Sequence, residues 1–197
     1  MAILMMVELP GVTPASYQTM NESMGIHGDD DAPEGLISHL ASTTDGGMLV
    51  TDVWESKDAF YSFVAERLGP ALAAAGVPEV EPRVLDVHRL IAQGAGTAAN
   101  VVLIIDSPDF TTETYDRAIE LIPAHSGDGS THPAVSHVAA RAGEGMVFVD
   151  VWDSPESFGA FAEAQLAPIA AQVEMPSLTP RFLPIHKRLR GRVPARI

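Results

Sequence analysis

Cysteine is absent from the 197-residue chain. That excludes a disulfide framework, a cysteine-ligated zinc site and a thiol nucleophile. Positive charge is scarce: 12 Lys and Arg stand against 26 Asp and Glu, a formal net charge of −14. Phosphate backbones would be repelled by such a chain, so nucleic acid is not an expected partner. Lys187-Arg188-Leu189-Arg190 and the basic residues to Arg196 are the exception. They suit a solvated terminus or a clamp on the chain's own acidic surface. No apolar run approaches membrane-spanning length, so no membrane partner is expected. The opening Met1-Ala2-Ile3-Leu4-Met5-Met6-Val7 has no basic leader and meets Glu8 and Pro10 at once. It reads as a strand, and a cytoplasmic protein is expected.

What is present is a repeat. Shifted by 98 residues, the chain aligns with itself without a gap from Ile3/Val101 to Leu90/Arg188, and about 25 of 88 positions are identical. Asp52-Val53-Trp54-Glu55-Ser56 meets Asp150-Val151-Trp152-Asp153-Ser154, and Phe60 and Phe63 meet Phe158 and Phe161. The period exceeds that of any solenoid repeat. We therefore expect repeat 1 at 1–91, a linker of mostly small residues at 92–100, repeat 2 at 101–190 and a basic tail at 191–197. Each repeat alone would be marginal, so mutual burial is the natural source of stability.

Each half reads β-α-β-β-α-β. Ile3–Glu8 is an apolar run. Thr13-Pro14 caps a helix whose apolar stripe is Tyr17, Met20 and Met24. Strands over Leu36–Ser42 and Gly47–Trp54 flank the turn residues Asp45-Gly46. Ser56 caps a second helix with an inner face of Phe60, Phe63, Val64 and Leu68. Pro82–Leu90 is the last strand. The second half repeats this at Val101–Asp106, Thr111–Ile122, Ala134–Ala140, Gly145–Trp152, Ser154–Val173 and Pro180–Lys187. The pattern is that of the ferredoxin-like unit. Its strands are apolar on both faces, since Leu49 and Val53 alternate with Met48 and Val50. A sheet buried on both sides fits two units packed sheet to sheet.

The Val-Trp-Glu-Ser…Phe-x-x-Phe stretch, inside such a unit, resembles the dimeric α+β barrel superfamily, and most closely the antibiotic biosynthesis monooxygenase family. The resemblance covers almost the whole chain, twice. It implies an α+β fold of two tandem ferredoxin-like units forming an intramolecular dimeric α+β barrel. Further pairing into a homo-oligomer stays open. It also implies a pocket for a small apolar or aromatic molecule and a range of activities, from cofactor-independent oxygenation of aromatic polyketides to haem breakdown. Haem-degrading members use a strand-one Asn, a helix-two Trp and a haem-ligating His. Here those places hold Met6, Val7, Ile104 and Ile105, then Phe63 or Phe161, then Ala73 or Ala171. Haem breakdown is thus disfavoured, and no cofactor is expected.

Six of seven histidines fall in matching places: His27/His125, His39/His137 and His88/His186, with His132 unpaired. A two-residue turn at Asp45-Gly46 sets His39 opposite Asp52, and the same arithmetic sets His137 opposite Asp150. Two roles fit such a pair. A buried Asp would orient the imidazole as a general base, or the pair would pin strand register. Tyr17 and Tyr115 lie on the inner stripe of the first helix of each repeat, where each hydroxyl could hold a substrate oxygen or simply pack. Trp54, Trp152, Phe63, Phe161, His88 and His186 are candidates to line the pocket. Met5, Met6, Met20 and Met24 offer an adaptable wall. No metal is expected: strands two and four of a ferredoxin-like sheet lie roughly 14 Å apart, too far for His39 and His88 to share an ion. The leading reading is a cofactor-independent, proton-abstracting enzyme or monooxygenase acting on a small aromatic, polyketide-like substrate. The alternative is a non-catalytic ligand-binding or structural barrel. Val50 of repeat 1 faces Phe148 of repeat 2 in the alignment, so the first half is expected to keep the larger cavity.

Overall fold

The computed structural model describes residues 1–77, 80–92, 99–122 and 134–191. His125, His132, most of the linker and the tail beyond Gly191 lie outside the described residues. The chain is α+β and divides into two compact units. Among the described residues, the first is Met1–Asp86 with 185–191 and the second is Val87–Pro184. The compact units therefore cut across the sequence repeats, because the last strand of each repeat is split between them.

In the first unit, β1 (Ile3–Pro10), α1 (Pro14–Ser23), β2 (Leu36–Thr44) and β3 (Gly47–Trp54) are followed by α2 (Lys57–Phe63), α3 (Gly69–Ala75) and the start of β4 (Arg83–Ala92). β1 pairs antiparallel with β3 and, through Ile3 to Met6, with Arg83 to Asp86. β2 pairs with β3 on one side and with Ile185 to Arg190 of β8 (Arg181–Arg190) on the other. The α1 start is a capping box: the Ser16 amide donates to the Thr13 hydroxyl, and the Thr13 amide donates to that of Ser16. Each satisfies an amide the helix cannot.

The second unit repeats this with β5 (Val101–Ser107), α4 (Thr112–Leu121), β6 (Ser136–Ala142), β7 (Gly145–Trp152) and α5 (Pro155–Phe161). β5 lies between β7 and Arg181 to Pro184 of β8, and β6 between β7 and β4. β7 is buried along its whole length, and it is apolar apart from Gly145 and Asp150.

Several strands start or end one or two residues from the sequence reading, and two elements differ by more. The α-helix expected to run to Val173 stops at Phe161 and passes into a π turn, Ala162–Leu166. The matching π turn in the first unit, Val64–Leu68, precedes α3. Both stand just before a proline, Pro168 and Pro70. A proline has no N–H for the carbonyl four residues back and its ring crowds that carbonyl, so the helix shifts to an i→i+5 bond. The bond is seen from the Ala167 amide to the Ala162 carbonyl at 2.8 Å. The second difference is β8, which continues to Arg190 rather than ending at Lys187. Its extension pairs with β2 and faces the acidic turn Asp29–Asp31. The Arg190 amide donates to Asp29 Oδ1 at 2.9 Å, and Lys187 Nζ to the Ile26 carbonyl at 3.2 Å. The start of the basic stretch is thus a strand held to an acidic loop.

Candidate active site

The β2–β3 turn is the two-residue Asp45-Gly46 connection, with Thr44 across from Gly47. Because strand partners then step in unison, His39 falls directly across from Asp52. Gly143-Glu144 is likewise a two-residue turn, with φ +64° at Gly143, and His137 faces Asp150. In both units the pair is bonded: His39 Nδ1 to Asp52 Oδ1 at 2.6 Å, and His137 Nδ1 to Asp150 Oδ1 at 2.8 Å. All four side chains are buried.

The first helix of each unit adds a third member. The Tyr17 hydroxyl lies 2.5 Å from His39 Nε2, and that of Tyr115 lies 2.7 Å from His137 Nε2. The rings of tyrosine and histidine are near parallel, at 6° and 12°. A carboxylate only accepts hydrogen bonds, so Nδ1 of each histidine carries a proton. Nε2 of the neutral ring then accepts, and the tyrosine O–H donates to it. Each unit therefore holds a directed chain, Tyr O–H to imidazole to carboxylate.

Burial pushes the Tyr17 phenol well above its ordinary value; the Asn21 amide opposes this and the charge on Asp52 adds to it. Burial likewise raises the Tyr115 phenol, with Arg89 opposing and Asp150 and Asp116 adding. Both phenols therefore stay protonated at neutral pH. Neither is a standing phenolate base, but each can accept a proton on oxygen while passing its own to the histidine.

The two chains border very different spaces. Tyr17, His39 and Asp52 line a cavity of about 450 Å³. Tyr115, His137 and Asp150 line one of about 60 Å³. The cause is legible in the walls. Val50 lines the large cavity, whereas Phe148 occupies its place in the second unit. The Phe148 ring packs on Phe110 at 5.1 Å, Tyr115 at 5.7 Å and His137 at 6.2 Å between centroids. Val50 in the first unit leaves that volume open.

The remaining expected pocket residues divide. Phe63 and Trp54 line the large cavity and pack together at 5.3 Å. Phe161 lines the small one and packs on Trp152, which is buried but not part of that lining. Neither tryptophan Nε1 has a hydrogen-bond partner among the described residues. Met5, Met20 and Met24 line the large cavity; Met6 does not. Ala73, at the place of the haem-ligating histidine, is also in that wall.

His88 and His186 are not in either lining. The split of the last strands brings each to the tyrosine of the other repeat. His186 is exposed, with its ring edge-on to Tyr17 at 6.0 Å. His88 stands edge-on to Tyr115 at 5.6 Å, donates from Nε2 to Asp116 at 2.7 Å, and accepts from Arg141 at Nδ1. His27 is exposed in the loop after α1. Among the described residues, no group of three His, Asp or Glu side chains converges as metal ligands, and no helix is long and apolar enough to cross a membrane.

Asn21 is the site residue that the sequence reading missed. It is 2% exposed, lines the large cavity, and follows Tyr17 by one helical turn. Its counterpart is Ile119, an apolar residue in the wall of the small cavity. A polar residue on one copy of an apolar stripe was the available signal.

No family model matches the chain, and no curated protein matches it in sequence. Solved structures do match. A protein provisionally named a monooxygenase from Fusobacterium nucleatum subsp. nucleatum is 12% identical, over 96% of this chain and 93% of its own, with a TM-score of 0.66. Another protein so named, from Lactobacillus acidophilus, is 13% identical over 96% of both chains, with the same TM-score. An anthrone oxidase-like protein is 19% identical, over 95% of this chain and 91% of its own, with a TM-score of 0.50. By fold the chain is similar to these proteins.

Proposed function

We propose that the first unit is a cofactor-independent enzyme that removes a proton from a small, neutral, aromatic or polyketide-like substrate. The supporting observation is the Tyr17–His39–Asp52 chain on the wall of a cavity of about 450 Å³. That volume suits a small ligand, and the wall is apolar apart from a few polar side chains.

The proton would pass in one movement. A substrate C–H or phenolic O–H gives its proton to the Tyr17 oxygen as the Tyr17 proton moves to His39 Nε2. The imidazolium so formed lies against the Asp52 carboxylate, which stabilises it without accepting the proton. An activated methylene between aryl and carbonyl groups would be left as a resonance-stabilised carbanion. With dioxygen as co-reactant, the carbanion forms a C–O bond and yields a hydroperoxide. Loss of water gives the ketone, so that R2CH2 + O2 becomes R2CO + H2O. Fold relatives named as monooxygenases and as anthrone oxidase-like agree with this class by analogy alone.

In the second unit a specific observation favours the non-catalytic reading. The same three side chains are bonded there, beside only about 60 Å³ of free space. There the Tyr–His–Asp chain would act as a buried polar pin on strand register.

Oxygen uptake with a panel of neutral tricyclic ketones bearing an activated methylene tests the proposal. His39→Ala should lower kcat/KM on the order of 10²–10⁴-fold, the usual worth of a positioned base. His137→Ala should leave it near the parent. Equal turnover by the parent and His39→Ala would overturn the assignment.

A further inference from the structure

Nearly every polar group on the wall of the large cavity already has its partners. His39 is bonded at Nδ1 to Asp52 and at Nε2 to Tyr17. The Tyr17 hydroxyl donates to His39 and takes a hydrogen bond from the Asn21 side chain, whose amide is also bonded to the Tyr17 carbonyl. The Trp54 Nε1–H has no partner, but that nitrogen exposes almost no surface, to the cavity or to solvent. Tyr61 is 55% exposed, so water serves its hydroxyl. Asp52 is different. An ionised carboxylate has two oxygens and only accepts. Oδ1 takes the His39 proton at 2.6 Å, and Oδ2 has no partner among the described residues.

We infer that Asp52 Oδ2 receives a hydrogen bond from the ligand, and that the cavity selects a neutral aromatic compound carrying a ring hydroxyl. This deepens the proposed function by naming a group its substrate carries. It rests on the cavity being the ligand site, not on turnover there. Asp52 is 4% exposed and lines the cavity, and none of the described lining residues is Lys or Arg. A carboxylate oxygen held against an apolar wall without a donor is costly. A hydrocarbon filling the cavity would leave it so, whereas a hydroxyl would supply the missing donor. The hydroxyl held there keeps its own proton. Tyr17, bonded to the other nitrogen of His39, takes the reacting one.

A hydroxyl fits this acceptor better than an ammonium group does. One free oxygen matches one O–H. An ammonium group has three N–H donors, and the others would face apolar side chains after a larger loss of hydration. The Tyr17 oxygen is the rival acceptor, but it already serves His39 and Asn21. In the second unit Asp150 Oδ1 is bonded to His137 in the same way at 2.8 Å, beside only about 60 Å³ of free space. A tricyclic ligand has no room there, so the selection belongs to the first unit.

The test is binding of the full chain, at neutral pH, to tricyclic compounds followed by ligand fluorescence. The parent should bind 2-hydroxyfluorene about 10- to 100-fold more tightly than fluorene, the worth of a hydrogen bond to a charged acceptor. 2-Methoxyfluorene keeps the oxygen without the O–H, and 9-fluorenone brings only an acceptor. Both should bind about as fluorene does. Asp52→Asn should bind fluorene like the parent and show a preference for the hydroxyl about tenfold smaller. Tyr17→Phe should keep the preference. Equal affinity of the parent for 2-hydroxyfluorene and 2-methoxyfluorene would overturn the inference. So would an undiminished preference in Asp52→Asn, or its loss in Tyr17→Phe. Tighter binding of 9-aminofluorene, a cation at that pH, than of 2-hydroxyfluorene would overturn the hydroxyl as the matched group. Retained fluorene binding shows that a variant is folded, and the methoxy comparison needs no variant. If the preference behaves as stated while no substrate turns over, the binding inference stands and the enzymatic reading fails.

Discussion

Val50→Phe would install in the first unit the residue that fills the second. Both positions have the same surroundings by register. Val50 pairs with Val7 and Ala41, and Phe148 with Ile105 and Ala139. The small alanine on the neighbouring strand leaves the ring free to lie over the histidine and tyrosine, as Phe148 does. The larger side chain gains roughly 1 kcal/mol of apolar burial over valine. A new aromatic contact with Tyr17 adds about 0.5–1.5 kcal/mol. Because the ring enters open space rather than a packed core, the usual overpacking penalty does not apply. The variant should gain about 1–2 kcal/mol and roughly 2–8 °C in Tm, while losing binding of 9-fluorenone. Urea and thermal unfolding, paired with the fluorescence titration, measure both. Destabilisation beyond about 1 kcal/mol, or binding at the parent's affinity, would refute the claim that Val50 holds the cavity open.

The converse, Phe148→Val, should cost about 1–3 kcal/mol through lost contacts with Phe110 and Tyr115 and should raise the fluorenone stoichiometry from one towards two. Stability should also fall at alkaline pH. Tyr17 and Tyr115 have phenols raised by burial, so their contribution is complete below the unfolded value of about 10 and declines as pH rises beyond it, by about 1.4 kcal/mol per pH unit for each. Tyr17→Phe should reduce that slope by one tyrosine's share in urea titrations between pH 9 and pH 11; an unchanged slope would show that the phenol is not held protonated.

Much of this arrangement was legible because it depends on local rules. The Asp45-Gly46 turn fixes register, and register alone places His39 against Asp52. The Val50/Phe148 difference announces the unequal cavities by side-chain volume. Other features depend on contacts that spacing does not encode. The tyrosine hydroxyls meet Nε2 only once α1 and α4 are packed on their sheets, so the shared role of Tyr17 and His39 was not readable from either. His88 and His186, expected at the ends of their strands, lie in the middle of β4 and β8. Which tyrosine each would meet depends on the pairing of β4 and β8, a long-range choice among strand edges. The helix that ends at Phe161 carried its own signal in Pro168, which the apolar stripe masked.

The most direct test of the relay separates proton removal from oxygen chemistry. Under anaerobic conditions in D2O, NMR would follow exchange of the methylene protons of a neutral tricyclic ketone such as anthrone. The parent and His137→Ala should accelerate exchange over buffer, and His39→Ala and Tyr17→Phe should lose most of that acceleration, on the order of 10²–10⁴-fold for the histidine. Exchange by the parent no faster than buffer, or by His39→Ala as fast as the parent, would contradict the account.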